Sequence, residues 1–164
     1  RSIGLILHMA YEWGQRIGDM RLLKWDDIDF DAQRVDITQS KRGAEVHLPV
    51  PDDLLAMLEA QRVDFGFQEY VAPRVKPNHS GYSPYSAIEI HTQVNNIKAK
   101  AELDPKLQAR DLRRTAITEM AEAGVDLVGI MQVSGHQNPN SVTPYLVNTY
   151  SGASAALSKR RGDE

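Results

Sequence analysis

The chain has no cysteine among its 164 residues, no long hydrophobic run and no excess of basic charge. Without cysteine, disulfides, thiolate zinc sites and cysteine nucleophiles are excluded. The longest early apolar stretch, from Ile3 to Leu7, is interrupted by Gly4 and is far shorter than the ~20 residues that a membrane-spanning helix needs. The sequence therefore contains no candidate membrane span.

The remaining composition is that of one globular domain. There are 19 basic and 22 acidic residues, a net charge of −3, and 41% of the residues are hydrophobic, enough for one core. We expect a domain over residues 1–150 and a tail over residues 151–164, which is rich in Ala and Ser and is predicted to be disordered or to dock elsewhere. Because Arg1 leads directly into an apolar segment, we also expect the chain to be part of a longer protein.

Hydrophobic periodicity predicts a mainly α fold with a small antiparallel β-sheet, the α+β class. Apolar residues at helical spacing predict helices over residues 3–10, 51–65, 88–101, 112–121 and 127–133, a short helix after Arg16, and a last helical segment that carries Tyr145. The third long helix is expected to end at Pro105, and residues 66–85 are expected to form a long loop. Alternating apolar residues on both sides of positions 40–43 predict a β-hairpin with Lys41 at or beside its tip.

Several cationic side chains lie beside predicted turns or helix ends. They are Arg16 after Gly14, Lys41 before Gly43, Arg110 and Arg113 at a helix start, and His136 after Gly135. Such positions let side chains project from rigid elements into a shared cleft. A phosphodiester suits a convergent set of this kind, because guanidinium groups bind two phosphate oxygens at once and stabilise developing negative charge.

The same residues lie in five motifs. These are Trp13-Gly-Gln-Arg-Ile-Gly-Asp-Met20 followed by Leu23-Lys-Trp-Asp-Asp-Ile-Asp29, Gln39-Ser-Lys-Arg-Gly43, Arg110-Asp-Leu-Arg-Arg-Thr115, Ser134-Gly-His136, and Tyr145 nine residues after His136. In order and spacing, the set resembles the tyrosine recombinases, which include the phage integrases. The resemblance extends from Gly14 to Tyr145, most of the chain.

The resemblance implies a site-specific DNA recombinase with six catalytic residues. They are Arg16, Lys41, Arg110, Arg113, His136 and Tyr145. Tyr145 would attack a DNA phosphate to form a 3′-phosphotyrosyl bond, Arg16 and Arg113 would hold the nonbridging oxygens, and Lys41 would protonate the departing 5′ oxygen. His136 and Arg110 would supply further donors. Neither a metal nor a cofactor is required, because the covalent ester conserves the energy for rejoining.

Three positions leave alternatives open. Arg110 stands where the family usually has His or Lys, and because Arg stays charged we expect it to bind a phosphate oxygen without transferring a proton. Tyr150 is a second candidate nucleophile, although the spacing favours Tyr145. Asp19 is either the acidic residue that orients the family's cleft or a carboxylate that interacts with a helix dipole.

The expected partner is double-stranded DNA, bound by a tetramer as is common in the family, although the chain alone is expected to be a monomer. Six basic residues against three acidic ones between Lys98 and Arg114 form a local basic patch in this acidic chain.

The resemblance further implies a separate N-terminal DNA-binding domain that this fragment lacks, and a cytoplasmic location in a bacterium or phage-infected host. Two alternatives are a catalytically impaired DNA-binding regulatory relative of the same fold and a relaxing topoisomerase.

Overall fold

The computed structural model describes residues 1–146 and 150–162, apart from the side chains of Tyr150 and Ser151. Within these residues the helices are α1 Ser2–Glu12, α2 Ile17–Met20, α3 Asp52–Phe65, α4 Ala87–Lys100, α5 Asp111–Glu122, α6 Leu127–Ser134 and α7 Tyr150–Arg161. The strands are β1 Ile28–Asp29, β2 Arg34–Thr38 and β3 Glu45–Pro49, which form one antiparallel sheet in the order β1-β2-β3. The predicted α+β class is confirmed.

Helix α1 lies at the centre of the main core because it is apolar on nearly every side. Ile6, Met9 and Ala10 are fully buried, and the helix contacts α2, α3, α4 and α5. Gly14 follows it with a φ of +58°, a left-handed conformation that glycine adopts without strain. The chain therefore turns sharply after α1 and carries Arg16 to the start of α2.

The hairpin follows the alternation of apolar residues in the sequence. Val35 and Ile37 face the core, and Ile37 pairs with Val46 across β2 and β3. The backbone N–H of Gly43 donates to the carbonyl of Gln39 at 2.9 Å and closes the turn. Lys41 lies in this turn, as predicted, and its side chain is exposed.

A second, smaller core lies between α5, α6 and two 3-10 turns, Pro139–Ser141 and Thr143–Tyr145. Ile117, Ile130 and Val142 are fully buried there, and Tyr145 packs against them. The Thr143-Pro144 pair fits the second turn, which the N–H of Tyr145 closes by donating to the carbonyl of Val142 at 2.9 Å. The hydrogen-bonded turn thus fixes the backbone conformation at Tyr145.

Two elements differ from their predicted form. Helix α4 ends at Lys100 and not at Pro105, because Glu102 adopts a φ of +53° and the N–H of Leu103 turns back to the carbonyl of Lys98. The tail, which the composition predicts to be disordered or to dock elsewhere, forms helix α7, whose described side chains are largely exposed. None of the helices within the described residues has the length and hydrophobicity of a membrane-spanning segment.

Candidate active site

Two buried glutamine side chains connect the segments that carry the predicted site residues. Gln39 Nε2 donates to Gln15 Oε1 at 2.7 Å and to the carbonyl of Ser134 at 2.8 Å, while Gln15 Nε2 donates to the carbonyl of Val133 at 2.7 Å. Both glutamines are at most 1% exposed. Because buried polar groups are costly unless paired, these bonds hold the hairpin, the end of α1 and the end of α6 in one arrangement.

Arg16 is positioned by this network and by Asp19. Its Nη1 donates to Gln39 Oε1 at 3.2 Å and lies 3.9 Å from Asp19 Oδ2. Asp19 Oδ1 accepts from both the backbone N–H and the hydroxyl of Ser40, at 2.9 and 2.6 Å. Asp19 therefore fixes the first residue of the hairpin turn relative to Arg16, which agrees with the orienting role among its two predicted roles.

Arg113 projects from the first turn of α5 and is 9% exposed. Its Nη2 donates to the carbonyl of Ser134 at 2.9 Å, whereas its Nη1 is buried without a hydrogen-bond partner among the described residues. Burial, followed by the nearby charge of Arg16, lowers the pKa of Arg113 to about 10. Arg113 thus stays charged at neutral pH and keeps a buried donor that an anionic oxygen could satisfy.

His136 follows Gly135, the left-handed residue that ends α6. Its Nδ1 lies 2.7 Å from the Ser134 hydroxyl, and Arg113 Nη2 lies 3.4 Å from each ring nitrogen. Burial, followed by the charges of Arg113, Arg16 and Arg42, lowers the pKa of His136 to about 4. The imidazole is therefore neutral at neutral pH and can accept a proton or donate its own.

Tyr145 lies beside His136, with the two ring centroids 6.3 Å apart. The guanidinium carbon of Arg114 lies 5.9 Å from the centre of the Tyr145 ring, a cation–π contact. The phenol is half-buried and close enough to Arg113 to influence the pKa of that group. The alternative nucleophile, Tyr150, is the first residue of α7, and its side chain lies outside the described part of the chain.

Lys41 and Arg110 are less closely bound to the cluster. Lys41 is exposed on the hairpin, and within the described residues no hydrogen bond or ion pair joins its side chain to another predicted site residue. Its neighbour Arg42 is near enough to act on His136. Arg110 is exposed at the start of α5 and lines a cleft of about 400 Å³ together with Arg16 and Arg113. The structure thus brings together Arg16, Arg113, His136 and Tyr145, with Arg110 at the cleft and Lys41 on an adjacent turn.

This arrangement presents fixed cations and a neutral imidazole beside one phenol. It is suited to binding a tetrahedral anion and to nucleophilic attack on it, since the guanidinium groups are oriented before any ligand enters. Among the described residues, no group of three His, Asp or Glu side chains is close enough to hold a metal ion.

The sequence motifs included Gln15, Gln39 and Ser134, but their structural roles were not predicted. One signal existed for Gln39, because it continues the inward-facing alternation of Val35 and Ile37 along β2, where a polar side chain must find buried partners. No comparable signal exists for Ser134. Its carbonyl accepts hydrogen bonds from Arg113 and Gln39, both of which are distant from it in sequence.

Known proteins are similar to this chain in sequence. A tyrosine recombinase XerA of Pyrococcus furiosus is 27% identical over 144 residues, which cover 86% of this chain and 48% of that protein. The chain therefore spans about half the length of this relative.

Solved structures share the fold. The Tn1549 transposon integrase in complex with a circular intermediate DNA superposes with a TM-score of 0.76 at 16% identity, over 94% of this chain and 57% of that one. The catalytic domain of the bacteriophage HP1 integrase gives a TM-score of 0.64 at 20% identity, over 94% of this chain and 79% of that one. The model of the phage integrase family matches residues 2–151, and the chain accordingly belongs to this family.

Proposed function

We propose that this chain is the catalytic domain of a site-specific DNA recombinase that cuts and rejoins DNA through a 3′-phosphotyrosyl bond on Tyr145. The observation that carries the proposal is the convergence of Arg16, Arg113 and His136 beside this tyrosine, within the fold of an integrase catalytic domain. The Tn1549 integrase, of the same fold, is described in complex with DNA, which supports double-stranded DNA as the substrate.

In the proposed reaction, the phenol oxygen of Tyr145 forms a bond to phosphorus while the bond from phosphorus to the 5′ oxygen breaks. Arg16 and Arg113 bind the nonbridging oxygens, and the buried Nη1 of Arg113 gains a partner as negative charge develops. His136, a neutral imidazole above about pH 4, donates its ring N–H to a nonbridging oxygen, and the phenol proton is released to solvent. Lys41 supplies a proton to the departing 5′ oxygen, a task that suits a flexible ammonium on an exposed turn.

Arg110 acts as an additional phosphate ligand in this scheme. It lines the same cleft as Arg16 and Arg113, and its permanent charge suits binding rather than proton transfer. Rejoining reverses the first step, with the free 5′ hydroxyl attacking the phosphotyrosine. A tetramer on DNA, with a separate N-terminal domain completing the grip on the duplex, is part of the same proposal.

Covalent trapping tests the reaction. A pool of nicked duplexes, from which the short fragment bearing the freed 5′ hydroxyl diffuses away, should give a protein–DNA adduct that survives denaturation. Tyr145→Phe should abolish the adduct because it removes the attacking oxygen, whereas the matched change Tyr150→Phe should leave it. An undiminished adduct in Tyr145→Phe would contradict the assignment of the nucleophile.

The arginine clamp has its own test. Arg113→Lys keeps the charge but loses the planar pair of donors, so adduct formation should slow by about 100-fold or more. Binding to duplex DNA, measured by fluorescence anisotropy with Tyr145→Phe as the inert background, should weaken much less, because only the transition state uses the full clamp. Equal losses in binding and rate would show that Arg113 is a general DNA contact.

A further inference from the structure

The cleft lined by Arg16, Arg110 and Arg113 also has an apolar wall, which has no role in the proposed DNA reaction. The cavity, of about 400 Å³ in total, lies between α2, α4, the segment before α5 and the first turn of α5. Its apolar wall is formed by Ile17, Ile90, Val94, Leu107 and Ala109. Arg16, Arg110 and Arg113 lie on the same cavity, so cationic and apolar surfaces face one space.

We propose that this cavity is a binding site for a free small organic anion, in which a phosphonate, phosphate or similar group is attached to an aromatic or short aliphatic group. The proposal rests on the anion-binding role of the arginines in the proposed function. The anionic group lies among the guanidinium groups and the apolar group lies against α4.

Two observations besides the cavity itself support an anionic ligand. Arg113 lines the cavity and is nine-tenths buried, and its Nη1 has no hydrogen-bond partner among the described residues, so this guanidinium keeps an unused donor. Lys98, also on the cavity, is already engaged, because its Nζ donates to the carbonyls of Pro105 and Leu107 at 2.9 and 2.8 Å. Arg21 also lines the cavity and is likewise engaged, because its Nη1 donates to the carbonyl of Tyr85 at 3.0 Å. The arginines proposed to hold the anion are therefore Arg16, Arg110 and Arg113.

The size and lining of the cavity favour a free small molecule over a DNA base. Cavities of about 300–1,000 Å³ with an apolar wall and a few convergent polar groups are typical of small-molecule sites. A base of duplex DNA would first have to leave its stack, which costs a few kcal/mol. A free ligand avoids this cost, and because it occupies Arg16 and Arg113 it competes with a DNA phosphate.

Phosphorus NMR titrations of the unaltered chain test the site at pH 8. Inorganic phosphate, methylphosphonate and phenylphosphonate carry similar charge at this pH, so they differ mainly in the apolar group. We expect phenylphosphonate to bind about tenfold more tightly than inorganic phosphate, a difference of about 1.4 kcal/mol. Equal affinities for the three ions would overturn the proposal while leaving the anion site intact.

Two variants test whether the apolar group of the ligand lies in the cavity. Ala109→Leu fills part of the cavity and should remove the advantage of phenylphosphonate while leaving the affinity for inorganic phosphate unchanged. Ala99→Leu, an exposed position of α4 outside the cavity, should keep the advantage. If Ala109→Leu fails to fold, the ligand series on the unaltered chain still decides the question.

Two further outcomes separate this inference from the proposed function. If no phosphonate binds, the inference fails, and the trapping assay on the same preparation shows independently whether the DNA reaction fails with it. If Ala109→Leu slows adduct formation on DNA but leaves phenylphosphonate binding unchanged, the cavity serves the DNA substrate and the inference is overturned.

Discussion

Replacement of Gly135 by Ala should destabilise the domain and disturb the active site together. Gly135 has a φ of +71°, and an added Cβ would lie 2.5 Å from Gln39 Nε2 and 2.7 Å from its Cδ. The left-handed conformation costs an alanine about 1–2 kcal/mol. The contact would also force Gln39 away from its buried partners, and the loss of about two hydrogen bonds adds about 2–3 kcal/mol. The free energy of unfolding should therefore fall by about 3–5 kcal/mol.

Gly124 provides a matched control for the conformational part of this cost. It also follows a helix with a left-handed φ, +81°, but an added Cβ there would meet nothing within 4 Å. Gly124→Ala should consequently cost only about 1–2 kcal/mol. Urea unfolding followed by the fluorescence of Trp13 and Trp25 measures both variants on the same chain.

A double-mutant cycle isolates the contact between Gly135 and Gln39. In the Gln39→Ala background the side chain that would collide is gone, so the added cost of Gly135→Ala should fall to that of Gly124→Ala. A cost for Gly135→Ala that equals the Gly124→Ala cost in the unaltered background, or that stays the same in Gln39→Ala, would refute this reasoning.

Three other changes probe separate features. Since the pKa of His136 is lowered to about 4, the unfolded chain takes up this proton below its ordinary pKa while the folded chain stays neutral. The free energy of unfolding should therefore fall as the pH drops from about 6.5 to 4. In His136→Gln, urea unfolding should show a fall that is smaller by about 1–2 kcal/mol, a figure that allows for solvent screening of this partly exposed ring. Parallel pH curves for the two proteins would contradict the burial of a neutral imidazole. Lys98→Met removes the hydrogen bonds to Pro105 and Leu107, so amide hydrogen exchange over residues 101–109 should become faster. Lys100→Met, at an exposed position of the same helix, should leave the exchange unchanged. Equal exchange in both variants would show that the Lys98 contacts do not hold the segment. Asp126→Ala removes the carboxylate that accepts a hydrogen bond from the N–H of Gly129 at the start of α6. The free energy of unfolding, measured in urea, should fall by about 1 kcal/mol. An unchanged free energy would show that this cap is not stabilising.

The sequence was sufficient to predict most of the helices and strands and the proximity of Arg16, Arg113, His136 and Tyr145. Alternation along β2 and β3 predicted the hairpin that carries Lys41, because a strand with one buried face shows its period directly. The motifs and the spacing between His136 and Tyr145 predicted that these two residues belong to one site, and their rings are indeed adjacent. Helix α7 was missed because its composition resembles a tail, with few apolar residues to mark a buried face.

Other properties were decided only by tertiary structure. The lowered pKa of His136 and the buried, unpaired Nη1 of Arg113 depend on which segments pack around them, and no local pattern in the chain encodes that packing. The same holds for Gln39, which reaches the carbonyl of Ser134 across 95 positions of sequence. Periodicity specifies which face of an element is buried, but the partners that surround a buried polar group are determined only when distant elements come together.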